Sequence, residues 1–186
     1  QNLYSDCLFN KSQFDTNNYC LLTLHRPSNV DDQLCLKKII DCIINLSNKI
    51  DIIWPIHPRT ENKLRESSLL QKLIDKKEII MLNPIGYLEM IKLNIKSKII
   101  LTDSGGLQEE STITGTPCIV LRDTTERPVT LISNGGTGVL VGNDISIIKN
   151  EFKRLLFAKN KEFNTPLLWD GKTAQRCLNH IISYKG

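Results

Sequence analysis

Ile99-Ile100-Leu101-Thr102-Asp103-Ser104-Gly105-Gly106-Leu107-Gln108-Glu109-Glu110 joins an apolar run of strand type to a polar turn, two glycines and a helix-forming segment. This order of parts presents backbone N–H groups at a helix N-terminus, where unpaired donors and the helix dipole favour an anion. Gly105 and Gly106 let the backbone come close to a ligand, since neither carries a Cβ. The Ser104 hydroxyl can donate to a phosphate oxygen or cap the helix. Glu109 and Glu110 lie one turn into that helix, and a carboxylate beside a phosphate costs energy. At least one of them is therefore expected to face neutral hydroxyls, and a sugar diol suits a two-oxygen acceptor. Phosphate at the turn and diol at the glutamate together describe a nucleotide. An ordinary βα turn, with an N-cap and an acidic first turn favoured by the dipole, accounts for the same residues without a ligand. The stretch is neither a Walker loop nor G-x-G-x-x-G.

Outward from this turn, strands and helices alternate. Tyr19–Leu24, Asp51–Ile56, Glu78–Leu82, Lys98–Thr102, Pro117–Leu121 and Gly138–Val141 are the predicted strands. Helices are predicted from Asp31 to Leu46, with Leu34, Leu36, Ile39, Ile40, Ile43 and Ile44 on one apolar face, and from Thr60 to Ile74. Others are predicted over Tyr87–Ile95, Leu107–Thr114 (closed by Gly115), Pro128–Ser133, Asp144–Ala158 and Lys172–Ser183. The strands are continuously apolar rather than alternating, which predicts a parallel sheet covered on both faces. The expected fold is α/β, a Rossmann-like doubly wound parallel sheet over residues 19–186. Residues 1–18 are polar and irregular and are expected to be a connector, and a first residue of Gln rather than Met suggests a piece of something longer.

Net charge is +4, and the lysines are scattered among acidic residues without a basic block, which argues against a nucleic-acid surface. A modest positive balance suits an anionic small ligand. Cys7, Cys20, Cys35, Cys42, Cys118 and Cys177 form no C-x-x-C pair and no metal-ligand rhythm, so reduced core thiols in a cytoplasmic protein are expected, with no metal site. No signal peptide is visible, and no apolar run reaches the ~18 residues of a membrane span.

In a doubly wound sheet, ligands bind beyond the carboxyl ends of the strands. His25 and Arg26 follow the first strand, His57 and Arg59 the second, Ser104 to Gly106 the fourth, and Arg122, Asp123, Glu126 and Arg127 the fifth. Two of three histidines and four arginines thus share one rim, whereas solvated residues would scatter along helix exteriors. Each has a plain explanation as well: a turn histidine, a surface ion pair between Arg127 and Glu126 or Asp123, core packing for Tyr87 and Met90. Their convergence at one edge points to a site.

Thr23-Leu24-His25-Arg26-Pro27-Ser28-Asn29-Val30, Ile56-His57-Pro58, Thr102–Glu110, Arg122–Pro128 and Leu168-Trp169-Asp170-Gly171-Lys172 occur in the order and spacing of a known family. The chain resembles the non-hydrolysing UDP-N-acetylglucosamine 2-epimerases over residues 19–183, with TDSGGLQEE and TERP as the specific pieces. That resemblance implies a GT-B architecture of two Rossmann-like domains, of which this chain matches the C-terminal, nucleotide-holding one. It implies that Ser104, Gly105 and Gly106 hold the diphosphate, Glu110 the ribose hydroxyls, and that Arg127 adds positive charge. His25 would be the catalytic residue of this half, where sugar and phosphate meet. Tyr87 and Met90 would flank the uracil, with backbone near Ile85 reading its edge. Met90 stands where many members carry an aromatic ring, and His25-Arg26-Pro27-Ser28 departs from the common HRREN form. Arg26 and His57 are candidates for an activator site or supporting contacts, since some bacterial members use the second histidine to hold another substrate molecule.

The implied reaction interconverts UDP-GlcNAc and UDP-ManNAc by elimination of UDP to a 2-acetamidoglucal and re-addition, without a cofactor. The implied partners are these nucleotide sugars and UDP, with no nucleic acid and no membrane. The full-length protein is expected to be a homodimer that feeds cell-envelope polysaccharide synthesis. The family's acid and base carboxylates belong to its N-terminal domain, so residues 1–186 are expected to bind UDP without turnover. Alternatives are the donor-holding half of a GT-B glycosyltransferase, a hydrolysing relative, or a non-catalytic nucleotide-sugar-binding module.

Overall fold

The structure, a computed structural model, describes residues 18–158 and 165–184. The expected connector therefore lies outside the described residues except for Asn18, as does Cys7. Among the described residues six strands form one sheet: β1 (Tyr19–Thr23), β2 (Asp51–Pro55), β3 (Ile79–Leu82), β4 (Ile99–Thr102), β5 (Cys118–Val120) and β6 (Gly138–Leu140). Their order is β3-β2-β1-β4-β5-β6 and every pairing is parallel, the doubly wound arrangement expected. The chain winds outward in one direction from β1 and in the other from β4. Their carboxyl ends therefore diverge at the sheet centre, where such folds open a crevice. Thr23 pairs with Thr102 across that point, and the two hydroxyls lie 2.5 Å apart.

Both faces of the sheet are covered. Alternate residues point to opposite faces, so Leu22 and Trp54 join one core with Leu36, Ile40, Ile43 and Phe152. Leu21, Ile53, Ile100 and Val120 join another with Leu93 and Leu107. The first layer is supplied by α2 (Gln33–Ser47) and α7 (Ile145–Leu156), the second by α5 (Tyr87–Lys96) and α6 (Gly105–Thr114). Asp32 caps α2 by accepting from Cys35 N at 2.6 Å, and Asp144 caps α7 by accepting from Ser146 N and Ile147 N. Leu34 is 72% exposed, not on the apolar face of α2, because it lies two residues, about 200°, around the helix from Leu36.

Two expected helices are divided. Residues 58–74 form α3 (Pro58–Glu66) and α4 (Leu70–Ile74), separated at Ser68, whose φ is +56°. An unbroken helix would turn Leu64 and Leu73 about 180° apart, and the break lets both be buried. Over Pro128–Ser133 there are two 3-10 turns, Pro128–Thr130 and Ile132–Asn134, because Leu131 between them is extended. Helix α6 starts two residues earlier than expected, so both glycines lie in its first turn, and Gly115 ends it at φ +73° in the left-handed conformation. A short α1 (Pro27–Val30) follows β1, and α8 (Thr173–Ser183) closes the chain with no residue buried.

The five described cysteines are free. Cys20, Cys42 and Cys118 are core residues, and burial pushes the Cys118 thiol up to about 12, which keeps it unreactive. No helix among the described residues is long and apolar enough to cross a membrane.

Candidate functional site

At the carboxyl ends of β1, β2 and β4 lies a cleft of about 280 Å³. It is lined by His25, His57, Ile85, Met90, Ser104, Gly106 and Glu110, with Leu24, Ile56, Pro84 and Leu107 among its apolar walls. Seven residues chosen from sequence therefore share one concavity. Tyr87 does not line it: it stands 67% exposed at the start of α5, one turn before Met90. Arg26 instead lines a second, more polar cleft with Arg122, Asp123 and Asn143, so Arg26 and His57 face different concavities. Gly105 and Arg127 lie outside both linings, in the charged cluster over the head of α6.

His25 is held by a residue that sequence reasoning quoted without assigning a role. Asp103, fully buried, accepts from the backbone N–H of His25 (3.1 and 2.9 Å to its two oxygens), from Arg26 N (2.8 Å) and from Asn29 Nδ2 (3.2 Å). His25 Nδ1 lies 3.0 Å from Asp103 Oδ1. Burial pushes the Asp103 carboxyl up, but the His25 side chain and the backbone N–H groups of Arg26 and His25 outweigh it, and the group lies below the ordinary aspartate value. An ionised Asp103 places the proton of His25 on Nδ1, which leaves Nε2 as the ring nitrogen free for a ligand. Asn29 Nδ2 also donates to Leu121 O at 3.0 Å, tying α1 to the end of β5.

His57 is fixed in the opposite tautomer. It is the N-cap of α3, and its Nδ1 accepts from Arg59 N at 3.1 Å. An accepting Nδ1 carries no proton, so Nε2 bears the hydrogen and can donate. The rings of His25 and His57 lie 5.5 Å apart, centroid to centroid. Arg59, expected on the same rim, pairs with Asp31 and lines neither cleft.

Ser104 caps α6 by accepting from Leu107 N at 3.5 Å, while its own N–H donates to Thr102 Oγ1. The next N–H groups, those of Gly105 and Gly106, belong to the first turn and have no intrahelical acceptor. A Cβ at Gly106 would meet nothing within 4 Å, so the backbone there is open to a ligand. The two adjacent glutamates divide their tasks. Glu109 approaches Arg127, with Nε 3.2 Å from Oε2 but no hydrogen bond between them, whereas Glu110 turns into the cleft. Burial first, and then the charge of Glu109, raise the Glu110 carboxyl above its ordinary value. Gln108, also given no role from sequence, is buried and fastens the 122–127 loop to α6: it donates to Ser104 O and accepts from Thr125 Oγ1, which in turn accepts from Arg127 N. Its signal in the sequence was a polar residue at an inward helical position.

The cleft offers an anion the head of a helix, a hydroxyl-bearing ligand a half-buried carboxylate, and a flat apolar group the wall of Ile85 and Met90. UDP-N-acetylglucosamine 2-epimerase of Methanococcus maripaludis is 40% identical over 181 residues, 96% of this chain and 48% of that protein. UDP-2,3-diacetamido-2,3-dideoxy-D-glucuronate 2-epimerase of Pseudomonas aeruginosa is 35% identical over 164 residues, 88% of this chain and 44% of that protein. Among solved structures, Methanocaldococcus jannaschii UDP-GlcNAc 2-epimerase in complex with UDP-GlcNAc and UDP superposes with a TM-score of 0.79 at 40% identity, covering 88% of this chain and 45% of that one. The chain spans about half the length of the curated relatives it matches. A family model described as UDP-N-acetylglucosamine 2-epimerase matches residues 3–182. With that match over nearly its whole length, the chain belongs to the UDP-N-acetylglucosamine 2-epimerase family.

Proposed function

We propose that residues 19–186 are the nucleotide-holding domain of an epimerase that inverts C2 of a UDP-linked 2-acetamido sugar, with UDP-GlcNAc and UDP-ManNAc as the pair. The observation that carries this is the shared cleft of Glu110, the open first turn of α6 and the Asp103-oriented His25. In this reading the diphosphate sits at Ser104, Gly105 and Gly106 with Arg127 nearby, the ribose hydroxyls at Glu110, and the uracil against Ile85 and Met90, with Tyr87 at the outer edge. The C2 proton has no adjacent carbonyl, so the reaction goes by elimination. A base removes the C2 proton, its electron pair forms the C1–C2 double bond, and the C1–O bond breaks with its pair on the β-phosphate. In re-addition the β-phosphate oxygen re-forms the C1–O bond on its original face, the double-bond pair takes a proton at C2 from the opposite face, and C2 is inverted while C1 is kept. This domain's task is to stabilise the departing UDP, by the helix dipole, the Arg127 charge and, when Nε2 carries a proton as well as Nδ1, a hydrogen bond from His25.

The acid and base for the C2 proton are assigned to the other half of the longer protein, and Glu109, Glu110 and Glu126 are not substitutes for them. The whole protein is taken to be a cytoplasmic homodimer. The similarity to a diacetamido-glucuronate epimerase supports the substrate class, a UDP-linked 2-acetamido sugar.

Calorimetric titration of the chain with UDP tests this. Saturation is expected between micromolar and millimolar, roughly −8 to −4 kcal/mol, with weaker binding by Arg127→Ala. A folded chain that ignores UDP would sink the proposal, and UDP-ManNAc formed from UDP-GlcNAc by residues 1–186 alone would sink the division of labour. Gly106→Ala separates the roles of that position. Alanine is favoured over glycine in a helix by about 1 kcal/mol and meets no neighbour here, so the melting temperature should hold or rise. UDP affinity should nevertheless fall about tenfold, or ~1.4 kcal/mol, because the methyl group stands where a phosphate must approach the backbone.

A further inference from the structure

We infer that Glu126 occupies the phosphate seat over the head of α6 when the site is empty, and that an incoming diphosphate must displace it. The inference rests on the nucleotide-binding reading above and concerns a residue to which that reading gives no task.

The geometry converges on Gly105. A Cβ built there would lie 3.1 Å from Glu126 Oε1, 3.5 Å from Arg127 Nε and 3.9 Å from Arg122 Nη1. The Glu126 carboxylate thus stands over the first residue of α6, where the helix dipole favours an anion. Its Oε2 accepts from Arg122 Nη2 at 2.6 Å, and its Oε1 lies 4.0 Å from Arg26 Nη2. The hydrogen bond from Arg122 holds this carboxyl down to about 2.

One carboxylate is too small an acceptor for this site. Arg26 Nε, Arg122 Nη1 and Arg127 Nε are buried and have no hydrogen-bond partner among the described residues. Three guanidinium groups and a helix N-terminus therefore face two carboxylates, those of Glu126 and Glu109. A diphosphate carries more charge and more acceptor oxygens than a single carboxylate, and can engage the donors that Glu126 leaves idle. Glu126 is also built to leave. Its side chain is 49% exposed, so it can rotate into water without burying a charge. The backbone beside it is held in place, with Thr125 bonded to Gln108 and Arg127 N bonded to Thr125, so displacement needs only a side-chain rotation. The consequence is a tethered competitor, which keeps the three arginines assembled in the empty protein and lowers the affinity for any ligand that puts a phosphate there.

The test is titration of the wild-type chain and Glu126→Gln with pyrophosphate, UDP and uridine, with thermal unfolding of each protein alongside. Glutamine keeps an oxygen for Arg122 and drops the charge. Pyrophosphate and UDP should bind the variant about threefold to fivefold more tightly, the factor an exposed ion pair is worth, and uridine should bind both proteins equally. In the wild-type chain, the carboxyl carbon of Glu126 followed by NMR should titrate at higher pH once pyrophosphate is bound, because the group has lost Arg122 and gained an anion beside it. Equal or weaker pyrophosphate binding by a folded Glu126→Gln, or an unmoved Glu126 titration, overturns the inference. So does failure of both proteins to bind either pyrophosphate or UDP. Pyrophosphate results as expected, with UDP no tighter than pyrophosphate, would leave the placeholder standing and remove the nucleotide reading instead.

Discussion

Replacement of Asp103 by alanine is expected to lower folding stability by about 3–5 kcal/mol, measured by urea unfolding near neutral pH. The carboxylate is fully buried, and its removal takes away the acceptor used by the N–H groups of His25 and Arg26. Asn29 keeps one of its two bonds, to Leu121 O. Asp103→Asn should also destabilise, since an amide offers one acceptor oxygen where the carboxylate used two. The sign with pH follows from the lowered carboxyl. A carboxyl below its ordinary value of 3.8 adds stability that is complete above that value and is lost as pH falls through the folded-state one. Wild type and Asp103→Asn should therefore converge in acid, below about pH 4. Parallel stability curves down to the acid transition would show that the carboxylate does not hold this corner. The same substitution removes the partner that sets the His25 tautomer, so UDP affinity should fall even where the variant remains folded.

Glu110→Ala should cost about 1.5–3 kcal/mol of UDP binding, a loss of roughly tenfold to 150-fold, the expected effect of taking the acceptor from the ribose hydroxyls. Pyrophosphate, which has no ribose, should bind the variant as well as the wild type. A 2′-deoxy analogue of UDP should bind the wild type more weakly than UDP and the variant equally, the pattern of a shared interaction. The pH dependence is again fixed by direction. Burial and the charge of Glu109 raise Glu110 above its ordinary 4.5, and only the ionised carboxylate can accept from both hydroxyls. Wild-type affinity should therefore weaken as pH falls through that raised value, a loss that Glu110→Ala does not share. Since the folded chain favours the protonated form, Glu110→Gln should not lower stability above that range. A variant that loses stability and UDP binding together would point to a packing role instead.

Much of this was legible in the sequence, for local reasons. Continuous apolar runs such as Tyr19-Cys20-Leu21-Leu22 signal strands buried on two faces, and the helical segments between them require parallel crossovers. Ser104-Gly105-Gly106 after an apolar run signals an open helix start whatever surrounds it. Boundaries failed where tertiary burial overrode a local pattern: the left-handed Ser68 lets Leu64 and Leu73 both reach the core. Tyr87 lies outside the cleft lining because, as the first residue of α5, it stands exposed one turn before Met90.

The sequence by itself determined the parallel α/β class, the rim on which the polar residues gather and the open head of α6, because apolar period, capping and glycine act within a few residues. Only the tertiary structure decided which rim residues act together. Asp103 meets His25, 78 positions away, because β4 is laid beside β1. Glu110 enters the cleft while Glu109 goes to Arg127, because successive helical residues point about 100° apart and one direction is taken by the 122–127 loop. Strand order and the rotation of each helix against the sheet are set by long-range packing, and a hydrogen bond across that packing leaves no local trace in either of the segments it joins.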